Sequence, residues 1–154
     1  MLKKLDAERS HFLRNGVEPE VWWKLYKKAQ KHNPSLVKIY NFDMKELTIE
    51  MEDVPGFDLG HEPDKIKQLN IFERRDITAK VIELYASMLK FHSYEGHMFV
   101  HRDFTLPNII YTPAKTLKLV DPDSFSLVYP RGPNSTYYGN FIDTLYACKE
   151  WESL

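Results

Sequence analysis

Apolar residues recur with helical spacing in two stretches of the chain. Across 18–32, Trp22, Leu25, Tyr26 and Ala29 fall on one face. Pro19 suits a first-turn position there, and Asn33-Pro34 ends the run. Across 77–92, Ile77, Val81, Leu84, Tyr85, Met88 and His92 form a stripe, with Asp76 placed to cap it. Residues 36–42 and 46–52 alternate instead, around Asp43-Met44-Lys45, which predicts a hairpin that Val54-Pro55-Gly56 breaks. Phe99-Val100 is a short apolar lead into a loop. Two short strands are predicted at 109–112 and 117–120, joined by Pro113-Ala114-Lys115. Residues 61–75 are polar and carry no clear period, and 121–139 is rich in turn residues. A last helix is predicted over 141–151. The order predicts an α+β fold with its chemistry on loops.

Composition narrows the class. The 154 residues fit one domain, and a hydrophobic content of 43% is enough for a core. Charge is nearly balanced, 21 basic residues against 22 acidic. That argues against nucleic-acid binding held mainly by phosphate contacts and leaves room only for a local basic patch. Cys148 is alone, so no intrachain disulfide forms, which fits a reducing compartment. No apolar run approaches the roughly 20 residues that span a bilayer, and the first residues lack the apolar stretch of a secretory signal. The expectation is a cytoplasmic protein without membrane contact. His32, His61, His92 and His97 show no metal-site spacing, and His92 reads as a core residue. Trp22 and Trp23 read as core and interface.

Two segments gather acidic and amide side chains suited to chemistry: His101-Arg102-Asp103-Phe104-Thr105-Leu106-Pro107-Asn108 and Leu117-Lys118-Leu119-Val120-Asp121-Pro122-Asp123. Phosphoryl transfer needs an acceptor hydroxyl aimed at the γ-phosphate, a carboxylate near its proton, and metal ions on the phosphate oxygens. Asp103 suits the carboxylate, and Asn108 and Asp121 suit the oxygen ligands that magnesium prefers. A hairpin between Asn108 and Asp121 would return both to one point. Asp103 and Asn108 also suit plain turn caps, and Asp123 suits either a second ligand or a turn residue.

His101 to Asn108 resembles the catalytic loop of protein kinases, His-Arg-Asp with an Asn five residues after the Asp. Asp121 falls at a spacing similar to that family's Asp-Phe-Gly metal motif. Residues 50–56 resemble the kinase hinge, which implies adenine against the backbone of Glu52 and Val54, with Met51 behind it and Ile110 beneath. Lys3 or Lys4 lies where the phosphate-gripping lysine would fall. Asp143 resembles the aspartate that braces the catalytic loop. The resemblance makes His101 a packed scaffold residue and Arg102 a loop organiser, able to pair with a phosphorylated Ser124, Ser126, Ser135, Thr136 or Tyr137. It implies ATP and Mg²⁺ as cofactors and a protein or small-molecule acceptor. It further implies a minimal kinase-like fold: a reduced N-terminal lobe over 1–53, a hinge at 54–56 and a truncated, mainly helical C-terminal lobe over 57–154.

The departures are as informative. No Gly-x-Gly-x-x-Gly occurs, and the regulatory-helix glutamate is ambiguous among Glu20, Trp22 and Lys24. Asp-Phe-Gly has become Asp121-Pro122-Asp123, and no Ala-Pro-Glu follows. The ending Leu106-Pro107-Asn108 is more similar to aminoglycoside and small-molecule kinases. A reduced lobe would leave a sheet edge near 36–52 for a second copy or a partner chain. Two alternatives stand beside the active transferase. One is a pseudokinase that binds without transfer. The other is a haloacid-dehalogenase-type phosphatase, whose Asp-x-Asp strand end LKLVDPD resembles, although only 31 residues follow Asp123 for its further motifs.

Overall fold

The computed structural model describes residues 1–90, 93–128 and 136–154. Its first part is an antiparallel sheet of β1 (Leu2–Lys4), β2 (Ile39–Asp43) and β3 (Thr48–Met51), in the order β1-β3-β2. Between β1 and β2 run α1 (His11–Arg14) and α2 (Pro19–His32). The predicted hairpin forms, with Asp43 Oδ1 accepting the Lys45 and Glu46 amides to shape the turn. Leu36 and Val37, expected inside its first strand, instead fasten the sheet to the rest of the chain. Leu36 bridges Leu119 in parallel, and the Val37 amide donates to the Leu119 carbonyl at 3.0 Å. Helix α2 buries Trp22, Tyr26 and Ala29 as its spacing predicts. Trp22 stacks on Phe12 of α1 at 4.5 Å and donates its indole N–H to the Phe125 carbonyl at 3.1 Å.

The remainder carries β4 (Phe57–Asp58), α3 (Pro63–Gln68), α4 (Ile71–Lys90), β5 (Ser93–Tyr94), β6 (His97–His101), β7 (Ile109–Tyr111), β8 (Leu117–Leu119), β9 (Phe125–Val128) and α5 (Thr136–Glu150). Two further three-stranded sheets result, β4-β7-β8 and β5-β6-β9. Gly56, at φ 121°, lets the chain enter β4, where a Cβ would collide with the Tyr111 carbonyl. Helix α4 starts six residues before its predicted start. Asn70 Oδ1 accepts the Glu73 amide at 2.8 Å and Glu73 Oε1 accepts the Asn70 amide at 3.3 Å, a reciprocal capping box. Asp76 therefore lies inside the helix, paired with Lys80 at 2.7 Å, and caps nothing.

Ile77, Val81, Leu84, Tyr85 and Met88 are buried; His92 lies outside the described residues. Tyr85 stacks on Phe141 of α5 at 3.7 Å and meets Phe104 edge-on at 5.4 Å. The α4 stripe thus faces the 101–108 loop and the last helix. Strands β5, β6 and β9 have no counterpart in the sequence pattern; β9 lies in the turn-rich stretch and pairs with β6. Among the described residues no helix is long and apolar enough to cross a membrane.

Candidate active site

Strand β6 delivers His101 to the start of the loop. The imidazole is fully buried, and both ring nitrogens have partners: Nε2 lies 2.9 Å from the Val120 carbonyl, and the Asp103 amide donates to Nδ1 at 3.1 Å. An acceptor at Nδ1 requires the proton on Nε2, so the ring is neutral in this arrangement. Burial pushes its pKa below the usual histidine range, outweighing the Val120 carbonyl and the nearby carboxylates. His101 is thereby a strut between the loop and the strand end that precedes Asp121.

The rest of the loop is held from two sides. The Arg102 amide donates to the Ser124 carbonyl at 2.9 Å. Asn140 Nδ2 donates to the Arg102 carbonyl at 3.1 Å, and Thr144 Oγ1 to the Phe104 carbonyl at 3.0 Å. Those two residues, one turn apart on α5, do the bracing expected of Asp143, which is exposed. A 3-10 turn over Leu106–Asn108 then folds Asn108 back. Its Nδ2 donates to both the Asp103 carbonyl and Asp103 Oδ2 at 2.9 Å. Asp103 and Asn108 are clamped as one unit, and Asn108 Oδ1 stays available as an oxygen donor.

Asp121 ends the β7–β8 hairpin with φ 62°, a left-handed conformation uncommon for a residue with a Cβ. That kink starts the 3-10 turn Pro122–Ser124 and brings two carboxylates to Lys3. Lys3 Nζ donates to Asp121 Oδ1 at 2.5 Å and to Asp123 Oδ1 at 2.7 Å. Ser124 Oγ donates to Asp121 Oδ2 at 2.7 Å, and Ser10 Oγ to Asp123 Oδ2 at 2.6 Å. Burial alone would raise the Asp121 pKa, yet the Lys3 and Ser124 hydrogen bonds win and bring it to about 2. Asp123 moves the other way, raised by burial and by the charge of Asp121 despite Lys3. Lys3 is raised: its own desolvation opposes this, and the two aspartates prevail.

A cleft of about 670 Å³ opens beside this cluster. All five residues expected to hold a nucleotide, Lys3, Met51, Glu52, Val54 and Ile110, line it, together with Asn108 and Asp121. Among the described residues neither the Glu52 carbonyl nor the Val54 amide has a hydrogen-bond partner. The Glu52 carboxylate accepts from Lys118 Nζ at 2.9 Å and the Lys38 amide at 2.8 Å, which fixes this corner of the cleft. Asp123 lies behind the lining, with both oxygens already engaged. Ser10 and Ser124 are site residues that sequence reasoning missed. Ser10 gave no local signal, because its partner is 113 positions away.

None of the three regulatory-helix alternatives meets Lys3. Trp22 is buried against Phe125, while Glu20 and Lys24 are exposed and line a separate cavity with Tyr94. Phosphorylation beside Arg102 loses two of its expected sites. Ser124 and Ser126 are buried, one bonded to Asp121 and the other to Asn15 Nδ2 at 3.1 Å. Ser135 and the side chains of Thr136 and Tyr137 lie outside what the structure describes.

Among solved structures the chain is similar to the Cydia pomonella Granulovirus kinase, PK-1, with a TM-score of 0.54 over 71% of this chain and 22% sequence identity. The chain has a kinase-like fold. The match spans only 39% of the viral kinase, so the chain corresponds to well under half of that protein's length. No protein-family model matches the sequence, and no curated protein does. Among the described residues no group of three or more His, Cys, Asp or Glu is arranged to hold a metal. A magnesium site completed by nucleotide phosphates needs fewer, commonly one or two carboxylates. Asp121, ionised across the physiological range, and Asn108 Oδ1 fit that description.

Proposed function

We propose that the chain is an ATP-dependent phosphotransferase that passes the γ-phosphoryl group to an acceptor hydroxyl, with a protein serine or threonine favoured over a small molecule. The observation that carries this reading is convergence. Lys3, Asn108, Asp121 and the unpaired hinge groups of Glu52 and Val54 border one cleft, and Asp103 is bonded directly to Asn108. The preference for a protein acceptor rests on the His101-Arg102-Asp103 arrangement, the part most like protein kinases. Adenine lies against the Glu52 carbonyl and the Val54 amide, and Lys3 meets the phosphates. Asp103 orients the acceptor hydroxyl and accepts its proton; the Asn108 amide sits on Oδ2 and leaves Oδ1 open to the hydroxyl. Asp121 and Asn108 would hold magnesium, which supplies charge compensation at the phosphate oxygens.

One observation favours a second reading, nucleotide binding without transfer. Both Asp121 oxygens are engaged, by Lys3 and Ser124, so a cation must compete with Lys3 for the carboxylate. Radiolabelled ATP separates the two. General-base assistance is typically worth ~10²–10⁴-fold, so Asp103→Asn should nearly silence transfer while leaving Mg²⁺-ATP binding intact. Asp121→Asn should weaken binding and turnover together. Wild-type rates in both variants would remove the proposed site. Mg²⁺-ATP binding by wild type with no label on protein, small molecule or water would establish the second reading.

A further inference from the structure

A lysine that grips phosphates needs a fixed counter-ion to hold its amine in place. In protein kinases a glutamate of the regulatory helix serves. Here α2 has no residue to do so. Its buried face is Trp22, Tyr26 and Ala29, and Glu20, its one acidic residue, is exposed in the first turn. Asp121 touches Lys3, but in the reading above it is also the carboxylate offered to magnesium.

Asp123 has the properties of a dedicated anchor. Its side chain is 1% exposed, Oδ1 accepts Lys3 Nζ at 2.7 Å, and Oδ2 accepts Ser10 Oγ at 2.6 Å. Both Asp121 oxygens are engaged too, but Asp121 lines the cleft with its side chain 31% exposed, whereas Asp123 lies off that lining. Ser10 is fully buried and precedes α1 at the position where a serine hydroxyl ordinarily caps the helix, yet it makes no capping bond. Its hydroxyl is turned to Asp123 instead. Its own amide is fixed by the Asp6 carbonyl at 2.9 Å, and Phe12, two residues on, is stacked against Trp22. The left-handed Asp121 and the 3-10 turn after it set the direction of Asp123, so one short segment faces Lys3 with two carboxylates.

We infer that Asp123, seated by Ser10, is the positioning residue that holds Lys3 for the nucleotide phosphates, in place of a helix glutamate and not as a metal ligand. The inference rests on the phosphotransferase reading, because it assigns Lys3 to the phosphates. The two aspartates then have separate roles, Asp121 serving the cation and Asp123 the lysine.

Calorimetric titration of the full chain with Mg²⁺-ATP and with adenosine tests this division. Loss of a charge-assisted contact is typically worth about tenfold in affinity. Asp123→Asn should therefore weaken Mg²⁺-ATP binding roughly tenfold while adenosine binding and the Mg²⁺ concentration for half-saturation stay put. Asp121→Asn should raise that Mg²⁺ concentration. In a Lys3→Met background, Asp123→Asn should change ATP affinity by less than about twofold, because the anchor acts only through the lysine. Ser10→Ala should act in the same direction as Asp123→Asn and more weakly, and it carries the test if Asp123→Asn does not fold by circular dichroism. A raised Mg²⁺ requirement in Asp123→Asn would make Asp123 a ligand and overturn the inference. So would additive losses in the double variant. Failure of the wild type to bind Mg²⁺-ATP at all would overturn the phosphotransferase reading first, and the anchor with it.

Discussion

His101 shows how a residue from a chemical motif can be structural. Its Nε2 reaches the Val120 carbonyl, and its Nδ1 takes the Asp103 amide. Protonating Nδ1 would set two donors against each other in a site closed to water, so the neutral ring is the one the fold accepts. Burial lowers the pKa of His101, and it does the same to His11, where Arg14 adds to the effect. The sign follows from linkage. Below pH 6.5 the unfolded chain gains more protons at these two positions than the folded chain does. Their contribution is therefore complete above 6.5 and is lost as pH falls below it. A fully displaced buried histidine such as His101 contributes a slope of up to about 1.4 kcal/mol per pH unit, and the more exposed His11 adds less. Urea midpoints should accordingly fall from about pH 7 to about pH 5. His101→Gln, which keeps a donor for Val120, should lower the midpoint near neutral pH by the loss of one buried contact, ~1–3 kcal/mol, and flatten the acid limb. A midpoint in that variant with the same pH slope as wild type would show that His101 is not the group responsible.

Among the elements, helices α2 and α4 were legible because many residues repeat one period. The 101–108 loop was legible because its chemistry is contiguous. Strands β1, β5, β6 and β9 were not, since two to five residues give alternation too little length to register. The start of α4 was masked by an exposed Phe72 and a buried Arg74, and its real signal was the spacing of Asn70 and Glu73. Of the candidate site, Asp103, Asn108 and Asp121 stood out in the sequence by their motifs. The Ser10–Asp123 contact and the Asn140–Thr144 brace depend on packing between distant segments that no local pattern encodes. One such packing contact bears on the 101–108 loop. After β4 the chain passes so close to the 3-10 turn that a Cβ on Gly60 would lie 2.6 Å from Pro107 Cγ and Cδ. The proline ring cannot fold out of the way, so Gly60→Ala must displace the turn that carries Asn108. We expect an overpacking cost of ~1–3 kcal/mol. We also expect Mg²⁺-ATP binding several-fold weaker in a chain still folded at room temperature. Unaltered affinity in that variant would mean that the loop tolerates the shift and that Asn108 need not be so finely placed.

The whole molecule is joined at its cleft. Met1 to Lys3, from β1 and its leading residue, and Met51 to Val54, from the last residue of β3 onward, form one wall; Asn108, Ile110, Val120 and Asp121 form the other. Besides the chain itself, the ties across include the Leu36–Leu119 bridge, the Lys118–Glu52 pair and Lys3 on its two aspartates. A ligand that touches both walls resists their separation, and it stabilises the folded chain by RT ln(1 + [L]/Kd). At a hundredfold excess over Kd this is about 2.7 kcal/mol. For a chain of this length, each kcal/mol moves the melting temperature by roughly 2–4 °C. Mg²⁺-ATP at that excess should therefore raise Tm by about 5–11 °C. The same ATP concentration with EDTA should give much less, because on the proposed function Asp121 without a cation would turn a negative charge toward the triphosphate. The sign of this dependence comes from charges at the cleft: the Lys3 amine is already shared between two carboxylates and cannot neutralise the phosphates alone. Differential scanning fluorimetry over a range of ATP and Mg²⁺ concentrations measures it directly. An equal shift with and without Mg²⁺ would place the phosphates away from Asp121 and separate the nucleotide from the site described.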